Sequence, residues 1–320
     1  MESSSLSGSA LTNAAGRTEE ARRSEGMKYV VVSPVRDEER YVERTLVSMI
    51  QQQVKPVRWI IVDDGSSDRT PEVLARYAKK QGFIQIVRRE VAGTRQPGSP
   101  VVRAFEVGYD AARNLEYEFI AKLDCDLSFG PDYFEGLLTK MQEDPGLGIA
   151  SGVYMEASDE GTWVEVPMPP YHAAGASKMM RRRCFEEIGG FVPARGWDTV
   201  DEIRAMARGW RTKHFRELKM KHWKPEGTGI GPMRTHFMHG EVYYLTGGSK
   251  LFFLFKVLHR MGSRPLLFGS LALLWGYVRT MASARPRLVT SEEVRCYRAL
   301  LNRRILGQLK GGVSHNLSDT

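Results

Sequence analysis

The chain has 320 residues, of which 42% are hydrophobic and 26% charged, a composition typical of one large or two modest globular domains. Its three cysteines are far apart and form no CxxC pair, so neither a disulfide framework nor a zinc site is indicated and a reducing compartment is expected. The longest nearly uncharged apolar run, residues 265–278, is too short to cross a bilayer unaided.

Positive charge is concentrated in the last third of the chain. Residues 204–310 hold 21 Lys or Arg against 5 Asp or Glu, a net charge of +16, whereas the whole chain carries +8. Such a basic segment suggests an anionic partner, which the charge alone leaves open between a membrane surface, a phosphorylated acceptor and nucleic acid. A solvated basic surface without a partner is the simpler alternative.

The two ends of the chain are expected to be disordered. Residues 1–26 are polar and rich in Ser, Ala and Gly, and they lack the apolar core of a signal peptide, so they predict a disordered leader. A disordered tail is predicted for residues 311–320.

Strand and helix patterns alternate over the first half of the chain. Apolar β-branched runs mark the strands, and apolar residues at a helical period mark the helices between them. The pattern predicts a strand at 28–35, a helix at 37–53, a strand and turn at 58–68, a helix from 70, a strand at 83–87, a helix at 99–114 and a strand at 118–126. This alternation is typical of an α/β fold with a mostly parallel central sheet and helices on both faces.

Acidic clusters follow three of these strands: Asp37-Glu38-Glu39, Asp63-Asp64 and Asp124-Cys125-Asp126. Parallel strands place their carboxyl ends at one edge of the sheet, and the crevice there is the usual ligand site. Paired carboxylate oxygens suit Mg²⁺ or Mn²⁺, and a divalent ion suits a diphosphate. Ordinary turn or capping aspartates are the alternative.

The pattern changes after the fourth strand. Further strands are predicted at 147–155 and 173–182, followed by a short helix at 181–191 and a longer helix at 197–210. Asp198 stands at the N-terminus of the longer helix. Asp198 or Thr199 as an N-cap would stabilise that helix by about 1 kcal/mol, and an aspartate beside a sheet edge is also well placed to act as a base.

Five motifs, in this order, resemble those of the family 2 glycosyltransferases, which are inverting enzymes with the GT-A nucleotide-diphospho-sugar transferase fold. The motifs are VVVSPVRDEE, IIVDDGSSDRT, IAKLDCDLSFGPDYFE, RRCFEEIGGF and GWDTVDEIRAMARGW. Each motif is weak alone, and the ordered set is specific. Because the resemblance covers about residues 27–218, these residues are expected to form a GT-A catalytic domain.

The resemblance implies a nucleotide site at the ends of the first two strands. Pro34, Arg36 and Glu38 would line the nucleotide edge of the first strand. Asp63 and Asp64 match the acidic pair that reads the base, which is usually uracil.

The resemblance also implies a metal site and a catalytic base. Asp124 and Asp126 match the DxD motif, whose carboxylates hold the ribose and the divalent metal, here Mg²⁺ or Mn²⁺. Asp198 falls where the family's catalytic base usually sits, as the second acid of a Glu-Asp pair. Because Trp197 replaces the first acid, Asp201, about one helical turn further on, is kept as a second candidate for the base.

Residues 219–248 are rich in glycine and contain three histidines, a composition expected of a loop that closes over an active site. His222, Lys224 and Arg234 are candidates to clamp the diphosphate or to contact the acceptor. An ordinary surface loop with scattered basic residues is the alternative.

Residues 249–310 predict an amphipathic, basic helical extension. Within it, 250–279 has the pattern of two short helices rich in aromatic residues and flanked by Lys and Arg, which is typical of segments that lie on a membrane surface. Packing on the catalytic domain and a re-entrant pair are the alternatives. A capping box from Thr290 to Glu293 begins a basic helix that suits anionic lipid or a polyprenyl-linked acceptor.

The expected function is the metal-assisted transfer, with inversion, of a hexosyl or N-acetylhexosaminyl group. The donor is expected to be a nucleotide-diphospho-sugar, in particular a UDP-sugar, and the acceptor a glycan or a polyprenyl-linked glycan. The expected setting is bacterial surface-polysaccharide assembly, in the cytoplasm and peripheral at the inner face of the cell membrane, without nucleic acid as a partner.

Three other interpretations stay open. A nucleotidyltransferase would need a Gly-rich loop and a lysine after the first strand, and SPVRDEE has neither; the absence of GxGxxG and GxxxxGK[ST] likewise disfavours dinucleotide oxidoreductases and P-loop NTPases. A non-enzymatic nucleic-acid- or membrane-binding protein fits the basic segment but leaves the acidic strand ends unexplained. A non-catalytic relative of the transferases is suggested only by Trp197.

Overall fold

The alternation expected for the first half of the chain is confirmed. The computed structural model describes residues 27–89, 100–158, 160–224, 231–261 and 267–310, so the expected leader (1–26) and tail (311–320) lie outside the described residues. The first elements are β1 (Tyr29–Val35), α1 (Val42–Ile50), β2 (Arg58–Asp63), α2 (Thr70–Ala78), β3 (Ile84–Arg88), α3 (Pro100–Ala112) and β4 (Phe119–Leu123).

The second half of the chain extends the same sheet and adds a group of helices. The elements that extend the sheet are β5 (Leu127–Phe129), α4 (Tyr133–Glu143), β6 (Leu147–Ala157), β7 (Trp163–Glu165), β8 (Ser177–Arg181), α5 (Arg182–Glu187), α6 (Trp197–Ala207) and β9 (Arg211–His222). The C-terminal helices are α7 (Pro232–Leu245), α8 (Lys250–Arg260), α9 (Phe268–Ala282) and α10 (Ser291–Lys310).

The sheet is parallel in its first half and mixed in its second. Its strand order is β3-β2-β1-β4-β8-β6-β9-β5, with β7 paired to β6. The strands from β3 to β4 are parallel, β8 runs antiparallel to both of its neighbours, and β9 is again parallel to β6. Because β8 is reversed, it begins at the edge where β4 ends, and β6 and β9 end at that same edge.

The central strands β1, β2 and β4 are buried on both faces, which explains why they have nearly continuous apolar sequences. Val31 and Trp59 belong to a hydrophobic cluster that includes Phe134 of α4, whereas the neighbouring Val32 packs in a second cluster that includes Phe105 of α3. A charged side chain inside this sheet is therefore enclosed, and it needs a partner of opposite charge.

The prediction of a loop at residues 219–248 is wrong for most of that range. Strand β9 continues to His222, helix α7 runs over Pro232–Leu245, and residues 225–230 lie outside the description. Gly240 is a helix-packing residue, because a Cβ at this position would collide with the backbone carbonyl of Leu273 in α9. Gly276 of α9 faces α7 in the same way, so glycines that favour a loop in the sequence allow two helices to touch.

The helical extension packs on α6 with one face and is exposed on another. Val200 and Ile203 of α6 form a hydrophobic cluster that includes Tyr243 of α7, Phe253 of α8 and Leu273 of α9. The expected pair of helices between 250 and 279 is thus present, and packing against the preceding domain accounts for one of its faces.

The last helix starts as its sequence predicts. The backbone N–H of Thr290 donates to Glu293 Oε2 over 2.8 Å, and the N–H of Glu293 donates to Thr290 Oγ1 over 3.3 Å. These two bonds form the expected capping box. Across the described ranges, none of the helices combines the length and the apolar character that crossing a bilayer requires.

Replacing Gly276 with alanine should lower the free energy of unfolding by about 1–3 kcal/mol, because the new Cβ would collide with the carbonyl of Phe237 and push α7 away from α9. Urea denaturation followed by circular dichroism measures the change. Gly307→Ala is the matched control, since the space around Gly307 in α10 is open and alanine there should be neutral or stabilise by up to about 1 kcal/mol. Equal losses in both variants would contradict the close packing of α7 and α9.

Candidate active site

The loops that follow β1 and β2 are tied together at the carboxyl edge of the sheet. The N–H of Asp64 donates to the carbonyl of Val35 over 2.9 Å, and the N–H of Asp37 donates to Ser66 Oγ over 3.0 Å. The N–H of Glu38 donates to Thr70 Oγ1 over 2.9 Å. These bonds fix the first two acidic clusters side by side, as the parallel order of the strands predicts.

The two aspartates at the end of β2 differ in the hydrogen bonds that their carboxylates accept. Asp63 Oδ1 accepts a hydrogen bond of 2.9 Å from the N–H of Ser66, so this side chain shapes the turn. Asp64 Oδ1 lies 3.3 Å from Arg89 Nε without forming a hydrogen bond. Burial raises the pKa of Asp64, and the charges of Arg89 and Arg36 oppose that rise.

Pro34 and Arg36 occupy the end of β1 as expected. Pro34 is buried inside the sheet, where its Cα is paired with that of Val62, so it contributes backbone shape rather than a polar contact. Arg36 is half-exposed, and its Nε lies 3.6 Å from Asp37 Oδ2. The guanidinium is therefore accessible to a ligand at this edge.

The DxD segment connects β4 to β5 at the middle of the edge. Asp124 Oδ1 lies 2.5 Å from Lys122 Nζ, and burial raises the pKa of Asp124 against the attraction of that ammonium. Asp126 is buried, and its Oδ1 has no hydrogen-bond partner among the described residues. A buried carboxylate oxygen without a partner destabilises the protein, and a bound cation would remove that cost.

These carboxylates fit a divalent ion that also binds a substrate. In the described part of the chain, no group of three or more His, Cys, Asp or Glu side chains is close enough to hold a metal by itself. Mg²⁺ is usually bound through one or two carboxylates, with water and phosphate oxygens completing its ligands. Asp124 and Asp126 match that pattern.

Two basic side chains adjoin the DxD segment. His222, at the end of β9, has its Nε2 3.6 Å from Asp126 Oδ2 and its Nδ1 2.9 Å from Glu156 Oε1. Burial alone would lower the pKa of His222, but hydrogen bonding to Asp126 and Glu156 raises it to about 9. Lys224 Nζ lies 2.6 Å from Glu38 Oε1. Both groups are cations at neutral pH, at the edge where a diphosphate would lie.

Arg234 is not brought to this edge by any contact. It is exposed in the first turn of α7, and across the described residues it makes no hydrogen bond or ion pair. Of the three basic residues expected to clamp the diphosphate, His222 and Lys224 adjoin the acidic cluster.

The two candidates for the catalytic base occupy different environments. The carboxylate of Asp198 lies beside Gly175, since a Cβ added at Gly175 would be 3.3 Å from Asp198 Oδ2, and it makes no hydrogen bond or ion pair among the described residues. The carbonyl of Gly175 accepts a hydrogen bond of 2.9 Å from Lys122, so Asp198 adjoins the loop that is tied to Asp124. Asp201 is fully buried, with both carboxylate oxygens 3.0 Å from Lys178 Nζ. The geometry therefore favours Asp198 over Asp201 as the base.

Several of the charged groups that build this site are not evident as site residues in the sequence. Lys122 and Lys178 lie inside apolar strands and pair with carboxylates, and Glu156 orients His222. The available signal is a lysine within an otherwise buried strand, as in IAKL and ASKMM, because such a charge needs a partner.

The chain matches a family of known enzymes over more than half of its length. The model of that family, described as Glycosyl transferase family 2, matches residues 30–197. The putative glycosyltransferase EpsH of Bacillus subtilis (strain 168) is 29% identical over 175 residues, which cover 49% of this chain and 48% of EpsH. The chain thus spans about half the length of this curated relative.

Solved structures show the same fold at low sequence identity. S. aureus TarS 1–349 in complex with UDP-GlcNAc has a TM-score of 0.54 and 16% identity, covering 88% of this chain and 92% of that one. The mannosyltransferase PcManGT from Pyrobaculum calidifontis, in complex with GDP-Man and Mn²⁺, has a TM-score of 0.51 and 17% identity, covering 94% and 90%. The expected GT-A fold and family are confirmed: the chain belongs to glycosyl transferase family 2.

Proposed function

We propose that the protein transfers a hexosyl or N-acetylhexosaminyl group from a UDP-sugar to a glycan or lipid-linked acceptor, with inversion and with the assistance of Mg²⁺ or Mn²⁺. The observation that carries the proposal is the acidic edge of the sheet, where the buried oxygen Asp126 Oδ1 has no hydrogen-bond partner in the part of the chain that the structure describes. Related support comes from structures of this fold that hold UDP-GlcNAc, or GDP-Man with Mn²⁺.

The donor side of the proposed site is built from the ends of β1, β2 and β4. Asp64 and Arg36 would contact the nucleoside, and His222 and Lys224 would bring positive charge to the diphosphate. Asp124 and Asp126 would hold the divalent ion, which offsets the negative charge that develops on the departing nucleoside diphosphate. Glu38 keeps Lys224 at this edge through their 2.6 Å contact.

The acceptor side of the proposed site is the first turn of α6. Asp198 would take the proton from the acceptor hydroxyl as that oxygen attacks the anomeric carbon opposite the leaving group, which inverts the configuration. A general base must be within hydrogen-bond reach of its substrate and free of a competing partner. The carboxylate of Asp198, which has no partner among the residues that the structure describes, meets the second condition, and the enclosed carboxylate of Asp201 does not.

We also propose that the protein works at the cytoplasmic face of a membrane, docked through α8 and α9. Both helices carry large apolar side chains that are exposed: Leu251, Leu254, Phe255, Leu258, Met261, Phe268, Leu271, Leu274, Trp275, Val278 and Met281. The spacing of these positions puts one stripe on each helix. A monomer rarely exposes so much apolar surface without a partner.

Charge points to anionic lipid as that partner. Residues 242–291 contain seven Lys or Arg and no Asp or Glu. Apolar side chains would enter the boundary between headgroups and acyl chains, while the flanking cations contact anionic headgroups. A surface of this kind would hold the enzyme beside an acceptor that is itself anchored in the membrane.

Binding of UDP should require a divalent ion and Asp126. Titration calorimetry with Mn²⁺ is expected to show UDP binding to the wild type, with little or none in EDTA or in Asp126→Ala, because the diphosphate would then face uncompensated carboxylates. Asp110→Ala is the matched control, since Asp110 is exposed on α3 and pairs with Arg113. Equally tight binding in EDTA, or no binding of UDP under any of these conditions, would contradict the donor proposed here.

Asp198→Ala should mainly lower the rate of catalysis, whereas Asp201→Ala should mainly lower the stability of the fold. Asp198→Ala should slow donor turnover by about 10²–10⁴-fold, the usual contribution of a general base, and change the free energy of unfolding by less than about 1 kcal/mol. Asp201→Ala should lower that free energy by about 3 kcal/mol, because it removes a partner of the buried Lys178. Urea denaturation and release of UDP from UDP-sugars measure the two effects. The reverse pattern would make Asp201 the base.

Docking on lipid should depend on the exposed aromatic residues of α9. Flotation with vesicles of phosphatidylcholine and phosphatidylglycerol should recover the wild type, and recovery should fall with added salt. Phe268→Ser and Trp275→Ser should each weaken binding by about tenfold or more, because each removes roughly 1.5–3 kcal/mol of apolar burial.

The matched control for lipid docking is Val57→Ser, which removes an exposed apolar side chain from outside the extension and should leave binding unchanged. Failure to bind anionic vesicles would contradict membrane docking. So would a concentration-dependent dimer that Phe268→Ser and Trp275→Ser both abolish, since the same face would then join two copies of the chain.

A further inference from the structure

Two buried lysines lie side by side on neighbouring strands beneath the proposed site. Lys122 of β4 and Lys178 of β8 are directly opposite in the antiparallel pair, and the two residues are 4% and 0% exposed. Like charges in such positions repel, so each must be neutralised separately. Lys122 pairs with Asp124 over 2.5 Å, and Lys178 pairs with Asp201 over 3.0 Å and with Glu202 over 3.2 Å.

The side chain of Trp197 lies against both ammonium groups. Lys122 Nζ is 5.2 Å and Lys178 Nζ is 5.5 Å from the centroid of the indole, close enough for a cation–π attraction to each. Phe191 packs edge-on against the same indole, with the centroids 4.6 Å apart. The cation–π contacts of Trp197 thus help to stabilise two buried ammonium groups. Trp197 stands at the position where the family resemblance implies an acid.

Lys178 also contacts the backbone of the candidate base. Its Nζ donates to the carbonyl oxygen of Asp198 over 2.6 Å. The same ammonium holds Asp201 and Glu202, so one side chain from β8 binds three residues in the first turns of α6. Glu202 is itself fixed, since its Oε1 accepts a 2.7 Å bond from the N–H of Ala173 and its Oε2 lies 3.0 Å from His172 Nδ1.

We propose that Lys178 is a positioning residue, which fixes the first turn of α6 so that the carboxylate of Asp198 faces the acceptor hydroxyl. The inference rests on the proposed function of Asp198 as the base. Lys178 is enclosed and does not reach the substrate, so it acts through the backbone of Asp198. Its neighbour Lys122, bonded to Asp124 and to Gly175, gives that turn a fixed place relative to the DxD carboxylates.

Stability alone does not require this arrangement. A buried ion pair is often replaced by neutral groups of similar size with little change in stability, whereas removal of one partner is costly. The test therefore uses Lys178→Met/Asp201→Asn, which removes the pair together. Glu202 keeps His172 as its partner, so this variant should stay folded, with a melting temperature close to that of the wild type.

The double substitution should lower kcat for release of UDP by about 10²-fold, the cost of misplacing a catalytic group by about 1 Å. The probes are UDP-glucose, UDP-galactose and UDP-N-acetylglucosamine, and KM for the donor should change by less than about twofold, since the donor edge is untouched. When the same double substitution is added to the Asp198→Ala variant, it should slow the residual release of UDP by less than about threefold, because the group that Lys178 positions is already absent.

The matched control is Arg208→Met/Glu293→Gln, which removes a 3.1 Å ion pair at the other end of α6 and should leave kcat unchanged in both backgrounds. Amide hydrogen exchange at residues 199–202 gives a readout without turnover, and Lys178→Met/Asp201→Asn should speed it more than the control does.

Losses of equal size with and without Asp198, or an unchanged kcat, would overturn the positioning role. If the wild type binds UDP but turns over none of the probes, the assignment of Asp198 as the base would be overturned, and with it the role assigned to Lys178. The exchange data then report only how tightly the first turn of α6 is held.

Discussion

A sheet whose central strands are buried on both faces restricts where this protein can carry charge. Carboxylates are tolerated at the carboxyl ends of the strands, where turn N–H groups, basic side chains or a bound cation can offset their charge, and lysines are tolerated inside only where an acid pairs with them. The acidic residues after β1, β2 and β4 obey the first condition, and Lys122 and Lys178 obey the second. The candidate site is the place where these two kinds of charge meet.

The reversal of β8 joins the two halves of the site. Because β8 runs antiparallel to β4, it begins where β4 ends, and the loop before it brings Gly175 to the DxD segment. Strand β9 ends at the same edge and supplies His222. Helix α6, which carries the proposed base, comes after β8 in the chain and packs between the sheet and the helical extension.

The sequence predicts the parts of the site that depend on local pattern. Asp124 and Asp126 follow an apolar strand, and Asp198 begins an amphipathic helix, so both are visible in the chain together with the family motifs. Contacts between distant segments are not visible in this way. The pairing of Lys178 with Asp201 requires β8 to be placed against α6, and the pairing of His222 with Glu156 requires the ends of β6 and β9 to be adjacent.

Composition misleads where glycine serves packing. The glycines of 219–248 predict a loop, but Gly240 lets α7 touch α9, so a residue that breaks isolated helices here permits two helices to pack. For the exposed apolar stripe on α8 and α9, composition is informative but incomplete. Its apolar and basic residues are evident in the sequence, whereas which of its faces packs on α6 is settled only by the fold.

The proposed mechanism requires a base on the side of the anomeric carbon that is opposite the metal-assisted leaving group. The most direct test is the anomeric configuration of the sugar released or transferred from a UDP-sugar in the presence of Mn²⁺, followed by nuclear magnetic resonance before mutarotation. The account predicts that the first product has the configuration opposite to that of the donor. A first product that retains the donor's configuration would contradict a single in-line displacement assisted by Asp198.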